Sequence, residues 1–339
     1  MAAAAGDLLR SLRKSAPLVH NITNFVTMNF IANALLAVGA SPVMAHAIEE
    51  AGEMTGLADA LCLNIGTLTP GWVDAMEAAA AAAVQKGIPA VLDPVGAGAT
   101  LFRTEQARRI MYPGGPRPFP PAPSRSDSRS GFPSGIFPLT VIRGNASEIL
   151  SLLQQKPDGK NGTRGVDSIH GVDKAMDTAV TAARQLGCLI AVTGVEDCVT
   201  DGFQVLRIAN GHPLMPRITG TGCVATALIA AFLAAGRARM EAGHPDDAET
   251  DSRDGSPSTS CSSCPENDLI SAAAALSVIG LAGETAASGA AGPGSFSPRF
   301  LDALYALTPE ALAEGSRIRW EPAPPDAAAA GHEPKGGVL

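Results

Sequence analysis

Thr219-Gly220-Thr221-Gly222-Cys223-Val224 runs straight into the apolar stretch Ala225–Ala235, so a glycine-rich turn opens into a helix. The first N–H groups of a helix lack intrahelical acceptors and carry the positive end of its dipole. Gly220, Thr221 and Gly222 are therefore a candidate anion hole, open to close approach by a phosphate or a developing alkoxide because the glycines carry no Cβ. Cys223 stands at its mouth, where the same field favours thiolate over thiol, and is the candidate catalytic group.

Three further clusters each follow a short apolar run. Asp93 ends the run Pro89–Leu92 and leads into Pro94-Val95-Gly96-Ala97-Gly98, a carboxylate placed for magnesium beside glycines placed for phosphate. Arg143 follows Leu139–Ile142, and its forked donors suit a nucleotide phosphate. Asn145 and Glu148 come next, three apart at a helix start, where they could share one face around a hydrated magnesium ion. The same pair also reads as an N-cap residue and its N3 partner. Thr193 closes the run Cys188–Val192 with a hydroxyl suited to phosphate. Near the N-terminus, Pro17–Val19 gives way to His20, Asn21, Thr23 and Asn24. Met44, in Pro42–His46, offers a polarisable thioether to a flat or sulfur-bearing ring.

These groups need a scaffold that brings strand ends together. Strand-like runs at Ala60–Ile65, Pro89–Val95, Leu139–Arg143 and Cys188–Thr193 alternate with helical patterns at Asn24–Val38, Gly71–Lys86, Lys174–Leu186, Gly222–Ala235 and Asp268–Ala287. Val199–Ile208 reads as a hairpin about Asp201-Gly202. The alternation predicts an α/β fold with a central, mainly parallel sheet and helices on both faces, its site at the carboxyl ends of the strands.

The chain has 339 residues, is 46% hydrophobic and carries a formal net charge of −8, which argues against a nucleic-acid or membrane surface as partner. No apolar run reaches bilayer-spanning length and no secretory signal is visible, so a cytoplasmic location is expected. The six irregularly spaced cysteines read as reduced thiols. Residues 113–138 and 236–267 are poor in apolar side chains and read as flexible insertions, with a similar tail at 321–339. Cys261-Ser262-Ser263-Cys264 lies in the second insertion and offers only half of a structural zinc site.

Taken together, PLVHNITNFVTMNFIANALLAVGASPVMAH (17–46), NIGTLT (64–69), LDPVGAGAT (92–100), VIRGNASEI (141–149), VTG (192–194), NGHP (210–213), TGTGC (219–223) and GPGSFSPRFLDAL (292–304) resemble hydroxyethylthiazole kinases of the ribokinase-like superfamily, in that family's order. The resemblance implies one ribokinase-like kinase domain over residues 1–320 that moves a phosphoryl group from ATP to 4-methyl-5-(2-hydroxyethyl)thiazole in thiamine biosynthesis. It further implies Met44, Gly220 and Asn24 around the thiazole, Arg143 and Thr193 on ATP, and Asp93 and Glu148 on Mg2+. Cys223 takes the place where many ribokinase-like enzymes carry an aspartate base. A homotrimer with shared sites is also implied. The competing readings are a kinase for another vitamin-precursor alcohol such as hydroxymethylpyrimidine, and a nucleotide-dependent dehydratase on the same fold.

Overall fold

Among the described residues, nine strands form one sheet in the order β2-β1-β3-β4-β5-β6-β7-β8-β9. They are β1 (Leu18–Ile22), β2 (Ser41–Val43), β3 (Ala60–Asn64), β4 (Ala90–Asp93), β5 (Val141–Gly144), β6 (Leu189–Val192), β7 (Asp197–Thr200), β8 (Gln204–Ile208) and β9 (Ile318–Pro322). The first six pair in parallel, whereas β7, β8 and β9 are antiparallel. The computed structural model describes residues 1–112, 139–153, 171–242 and 265–324. The sheet is mainly parallel and covered by helices, as expected.

Side-chain alternation sorts the strands between two apolar layers. Cys62, Val91, Val141 and Leu189 face α1 (Ala2–Ser15), α2 (Met28–Val38), α8 (Thr221–Glu241) and α9 (Pro265–Ser288). Leu61, Leu63, Leu92, Ile142 and Ile190 face α3 (Ile48–Leu57), α4 (Pro70–Lys86), α5 (Leu101–Met111), α6 (Ala146–Leu153) and α7 (Gly171–Leu186). Burial on both faces explains why these strands read as unbroken apolar runs rather than alternating ones. Two further helices, α10 (Pro293–Ala306) and α11 (Pro309–Gly315), lead into β9.

Several boundaries differ from those expected. The helix predicted from Asn24 starts at Met28, because Asn24 turns its side chain back onto the Thr27 N–H. α8 continues to Glu241 and α9 begins at Pro265, so the helices take in both ends of the 236–267 segment. Glu321 and Pro322, assigned to the tail, belong to β9, where Trp320 lies opposite Leu206 and Glu321 opposite Val205. The segment 113–138 and the Cys261/Cys264 pair lie outside the described residues. Among the described residues, α8 and most of α9 are long and apolar enough to cross a bilayer, contrary to expectation; both are largely buried within the fold. Their apolar character serves the core between sheet and outer helices.

One packing contact sets the approach to α8. Asn210 is buried, and its Oδ1 accepts from Ser277 Oγ at 3.0 Å and Arg317 N at 2.8 Å. Gly280 of α9 lies so close that a Cβ there would stand 2.6 Å from the Asn210 carbonyl carbon and oxygen. Gly280→Ala is expected to cost about 1–3 kcal/mol through overpacking. A thermal melt checks this; an unchanged midpoint contradicts it.

Candidate active site

The sheet register lines the polar residues up. Asn64 lies beside Asp93, and Leu92 beside Ile142, which sets Arg143 level with Asp93. All three ends point to the α8 face, since they continue the rows of Cys62, Val91 and Val141. Three adjacent parallel strands thus end in amide, carboxylate and guanidinium beneath the α8 N-terminus.

Asp93 is 1% exposed. Its Oδ2 accepts from Asn64 Nδ2 at 2.9 Å and from Thr226 Oγ1 at 2.8 Å, with Arg143 Nη1 at 3.5 Å. Among the described residues its Oδ1 is buried without a hydrogen-bond partner. Burial pushes the Asp93 carboxyl up to about 6, against the downward pull of Arg143 and of the Thr226 and Asn64 hydrogen bonds. Arg143 donates to Thr193 Oγ1, so the two expected ATP-binding side chains meet, and its Nε is buried without a partner among the described residues. Beyond Thr193, Asp197 Oδ1 accepts the Gly194 N–H at 2.9 Å and steadies that turn, although burial pushes its carboxyl up to about 6.

Glu148 fulfils the capping reading. Its Oε2 accepts the Asn145 N–H at 2.9 Å while Asn145 Oδ1 accepts the Glu148 N–H at 2.9 Å. Its Oε1 reaches across to the Gly96 N–H at 2.8 Å and ties α6 to the loop after β4. A carboxylate has lone pairs beyond these two bonds.

At α8, Gly220 is the N-cap with φ 98°, a left-handed conformation that suits glycine, and a Cβ there would stand 2.9 Å from Thr27 Cγ2. The first intrahelical bond runs from Val224 N to Gly220 O at 2.8 Å, so the N–H groups of Thr221, Gly222 and Cys223 precede it. The Thr221 hydroxyl donates to Met215 O at 3.2 Å and leaves only its N–H for the turn.

Cys223 departs from its expected ionisation. Burial, then the Asp93 carboxylate, push its thiol up, and hydrogen bonds from Thr27, Asn24 and Asn64 oppose this only in part. Desolvation and a buried like charge outweigh the field of the helix end, so the group is a neutral thiol at pH 7. Asn24 is also buried and fully bonded. Its Oδ1 accepts both the N–H and the hydroxyl of Thr27, at 3.1 and 3.0 Å. Its Nδ2 donates to Asn64 Oδ1 at 2.9 Å and to Cys223 Sγ at 3.4 Å.

Met44 stands just past β2, half-buried against the apolar layer that includes α2 and α8. The buried His20 fixes that loop. Its Nε2 contacts Ala45 O at 2.7 Å and its Nδ1 contacts Thr55 Oγ1 at 2.8 Å. Burial lowers the His20 pKa, and a carbonyl only accepts, so the network assigns the proton to Nε2.

Three residues escaped the sequence reading. Asn64 opens the NIGTLT motif and was visible as a strand-end amide, but Thr226 sits inside an apolar helix where nothing marks it. Arg103 of α5 donates to Ile65 O, Val95 O and Gly66 O, each at 2.9 Å, and so fastens the loops after β3 and β4.

The hydroxyethylthiazole kinase family model matches residues 9–116 and 126–243. The chain belongs to the hydroxyethylthiazole kinase family. It is 44% identical over 315 residues to the hydroxyethylthiazole kinase of Desulfotalea psychrophila, covering 93% of this chain and 95% of that protein. It is 45% identical over 313 residues to that of Desulforudis audaxviator, covering 92% and 94%. Among solved structures, hydroxyethylthiazole kinase from Pyrococcus horikoshii OT3 superposes with a TM-score of 0.69 at 37% identity, over 94% of this chain and 98% of that one. A pyridoxal kinase from Staphylococcus aureus, at 13% identity and TM-score 0.50 over 90% and 99%, shares the fold alone. This member of the family is a phosphotransferase.

Proposed function

We propose that the chain phosphorylates the hydroxyl of 4-methyl-5-(2-hydroxyethyl)thiazole with ATP, in the cytoplasm, as a step of thiamine biosynthesis or salvage. The observation that carries this is the meeting of Arg143, Asp93 and the α8 turn at one end of the sheet, in a chain of this family. Phosphoryl transfer has a loose transition state and is accelerated chiefly by positioning and charge stabilisation. Arg143 and Thr193 hold the triphosphate. The N–H groups of Thr221, Gly222 and Cys223 face the charge of the transferring group. The acceptor oxygen bonds to the γ-phosphorus as the bond to the β,γ-bridging oxygen breaks, and ADP leaves. The neutral Cys223 thiol orients the acceptor hydroxyl, whose proton departs late to a phosphoryl oxygen. Met44 and Gly220 border the thiazole, and Asn24 acts on it through Cys223.

A magnesium ion fits this donor set. The unpartnered, buried Asp93 Oδ1 is suited to it directly and Glu148 through water, a pattern common for magnesium on nucleotides. When bound, the ion neutralises charge on the β- and γ-phosphates. A homotrimer follows the family pattern. In its support, Phe25 (62% exposed) and Val26 (65% exposed) form an apolar edge directly after Asn24, and Phe25 packs on Trp72 at 4.6 Å between centroids.

Initial rates of ADP formation with hydroxyethylthiazole, hydroxymethylpyrimidine or no acceptor test the proposal. Thiazole-dependent release is expected; a pyrimidine preference or acceptor-independent release overturns it. Cys223→Ala should lower kcat by roughly 10²-fold, the scale of loss when a reacting group is misplaced by about 1 Å. Complete loss in a folded variant would contradict an orienting role.

A further inference from the structure

Asn64 and Thr226 both donate to one oxygen of Asp93, and neither is exposed: Asn64 is 1% accessible and Thr226 is fully buried. Oδ2 is thereby occupied, while Oδ1 is left buried with no partner among the described residues. The direction of every amide in the cluster follows from two backbone N–H groups, which can only donate. The Gly66 N–H points at Asn64 Oδ1 at 2.9 Å, so the other arm of Asn64 is its NH2, which faces Asp93. The Thr27 N–H points at Asn24 Oδ1 at 3.1 Å, so the NH2 of Asn24 faces Asn64 Oδ1 and Cys223 Sγ. The result is one connected set of bonds that diverges at the Asn24 NH2, to Cys223 on one side and through Asn64 to Asp93 on the other, closed by Thr226 from one turn inside α8.

We infer that Asn64 and Thr226 are positioning residues that divide the Asp93 carboxylate, holding Oδ2 so that Oδ1 alone faces the metal–nucleotide, and that Asn64 ties the held Oδ2 to the orientation of the acceptor-side thiol. Two half-sites are thus ordered by one set of bonds. A buried amide donor also cannot be removed without leaving its acceptor unsatisfied, so the cluster holds or fails as a unit. Neither residue touches the reacting atoms. Both act through Asp93, and Asn64 also through Asn24. The inference rests on the proposed phosphoryl transfer for its kinetic arm and on the Asp93 carboxylate alone for its binding arm.

The test compares Asn64→Leu, Thr226→Val and Thr226→Ser in the full chain. Thr226→Val keeps the shape of the side chain and removes the hydroxyl; Thr226→Ser keeps the hydroxyl. Steady-state kinetics should give a kcat lowered at least tenfold for Asn64→Leu and Thr226→Val, with KM for the thiazole within about threefold of the parent and Thr226→Ser close to the parent. Binding of Mn2+–ADP, followed by titration calorimetry without acceptor, should weaken about tenfold in the first two variants and recover in Thr226→Ser. Weakened Mn2+–ADP binding with serine rescue supports the inference even if the parent phosphorylates no thiazole, an outcome that overturns only the proposed substrate. Parent-like Mn2+–ADP affinity in folded Asn64→Leu and Thr226→Val overturns the inference whatever the acceptor. So does a kcat loss in Thr226→Val that Thr226→Ser fails to reverse.

Discussion

Asp93→Asn is expected to lower kcat by about 10³-fold or more while leaving the fold intact, a loss at the upper end of those seen when one charge-stabilising group is removed. The amide can still accept from Asn64 and Thr226 through its oxygen, so the surrounding network survives. What disappears is the negative charge beside Arg143 and the oxygen that no group among the described residues uses. The same substitution carries a stability signature. In the fold the Asp93 carboxyl sits at about 6, above its ordinary 3.8. A raised carboxyl contributes stability that is fully present below the unfolded pKa and is lost as pH rises through the folded one. The parent therefore loses about 1 kcal/mol relative to Asp93→Asn between pH 5 and pH 7.5. Asp197, also near 6, is common to both proteins and cancels in the difference. Melting temperatures of the ligand-free proteins at the two pH values check this. A variant whose relative stability falls with rising pH would mean that Asp93 is not held as a buried, unfavourably ionised group.

Gly222→Val is the second large effect. A Cβ on residue 222 would stand 2.8 Å from Arg143 Nη1 and 3.0 Å from its Nη2. The guanidinium must move, and it is anchored on Asp93 and Thr193 by the same nitrogens. The branched side chain also covers the N–H groups at the start of α8. Loss of the proposed phosphate contact and of the proposed anion hole together should lower kcat/KM for ATP by at least about 10³-fold, more than Cys223→Ala. Nucleotide binding by calorimetry separates the causes: ADP affinity should fall along with turnover. A variant that binds ADP normally and turns over within tenfold of the parent would exclude this packing as the basis of the nucleotide site.

The sequence made the parallel half of this sheet readable because its strands are buried on both faces and end in polar motifs. Asp93, Arg143 and Thr193 could be chosen from their place after apolar runs, and register places Asp93 and Arg143 side by side. The end of the sheet was less legible. β9 is a half-exposed edge strand with Arg319, Trp320 and Glu321 in succession, a composition that resembles a tail until β8 pairs with it. The ionisation of Cys223 was misjudged for a different reason. A local feature, the helix end, was visible, whereas the buried carboxylate that opposes it comes from residue 93 on another strand. Thr226 was hidden because a threonine in an apolar helix carries no local signal; only the packing of α8 on β4 gives its hydroxyl a partner.

The most direct measurement of the central claim is the identity of the phosphorylated product. The chain is incubated with magnesium-ATP and an equimolar mixture of hydroxyethylthiazole and hydroxymethylpyrimidine, and the products are resolved by phosphorus NMR and mass spectrometry. A single phosphate monoester on the hydroxyethyl oxygen of the thiazole is predicted. Phosphate found on the pyrimidine, or only as inorganic phosphate, would contradict the account.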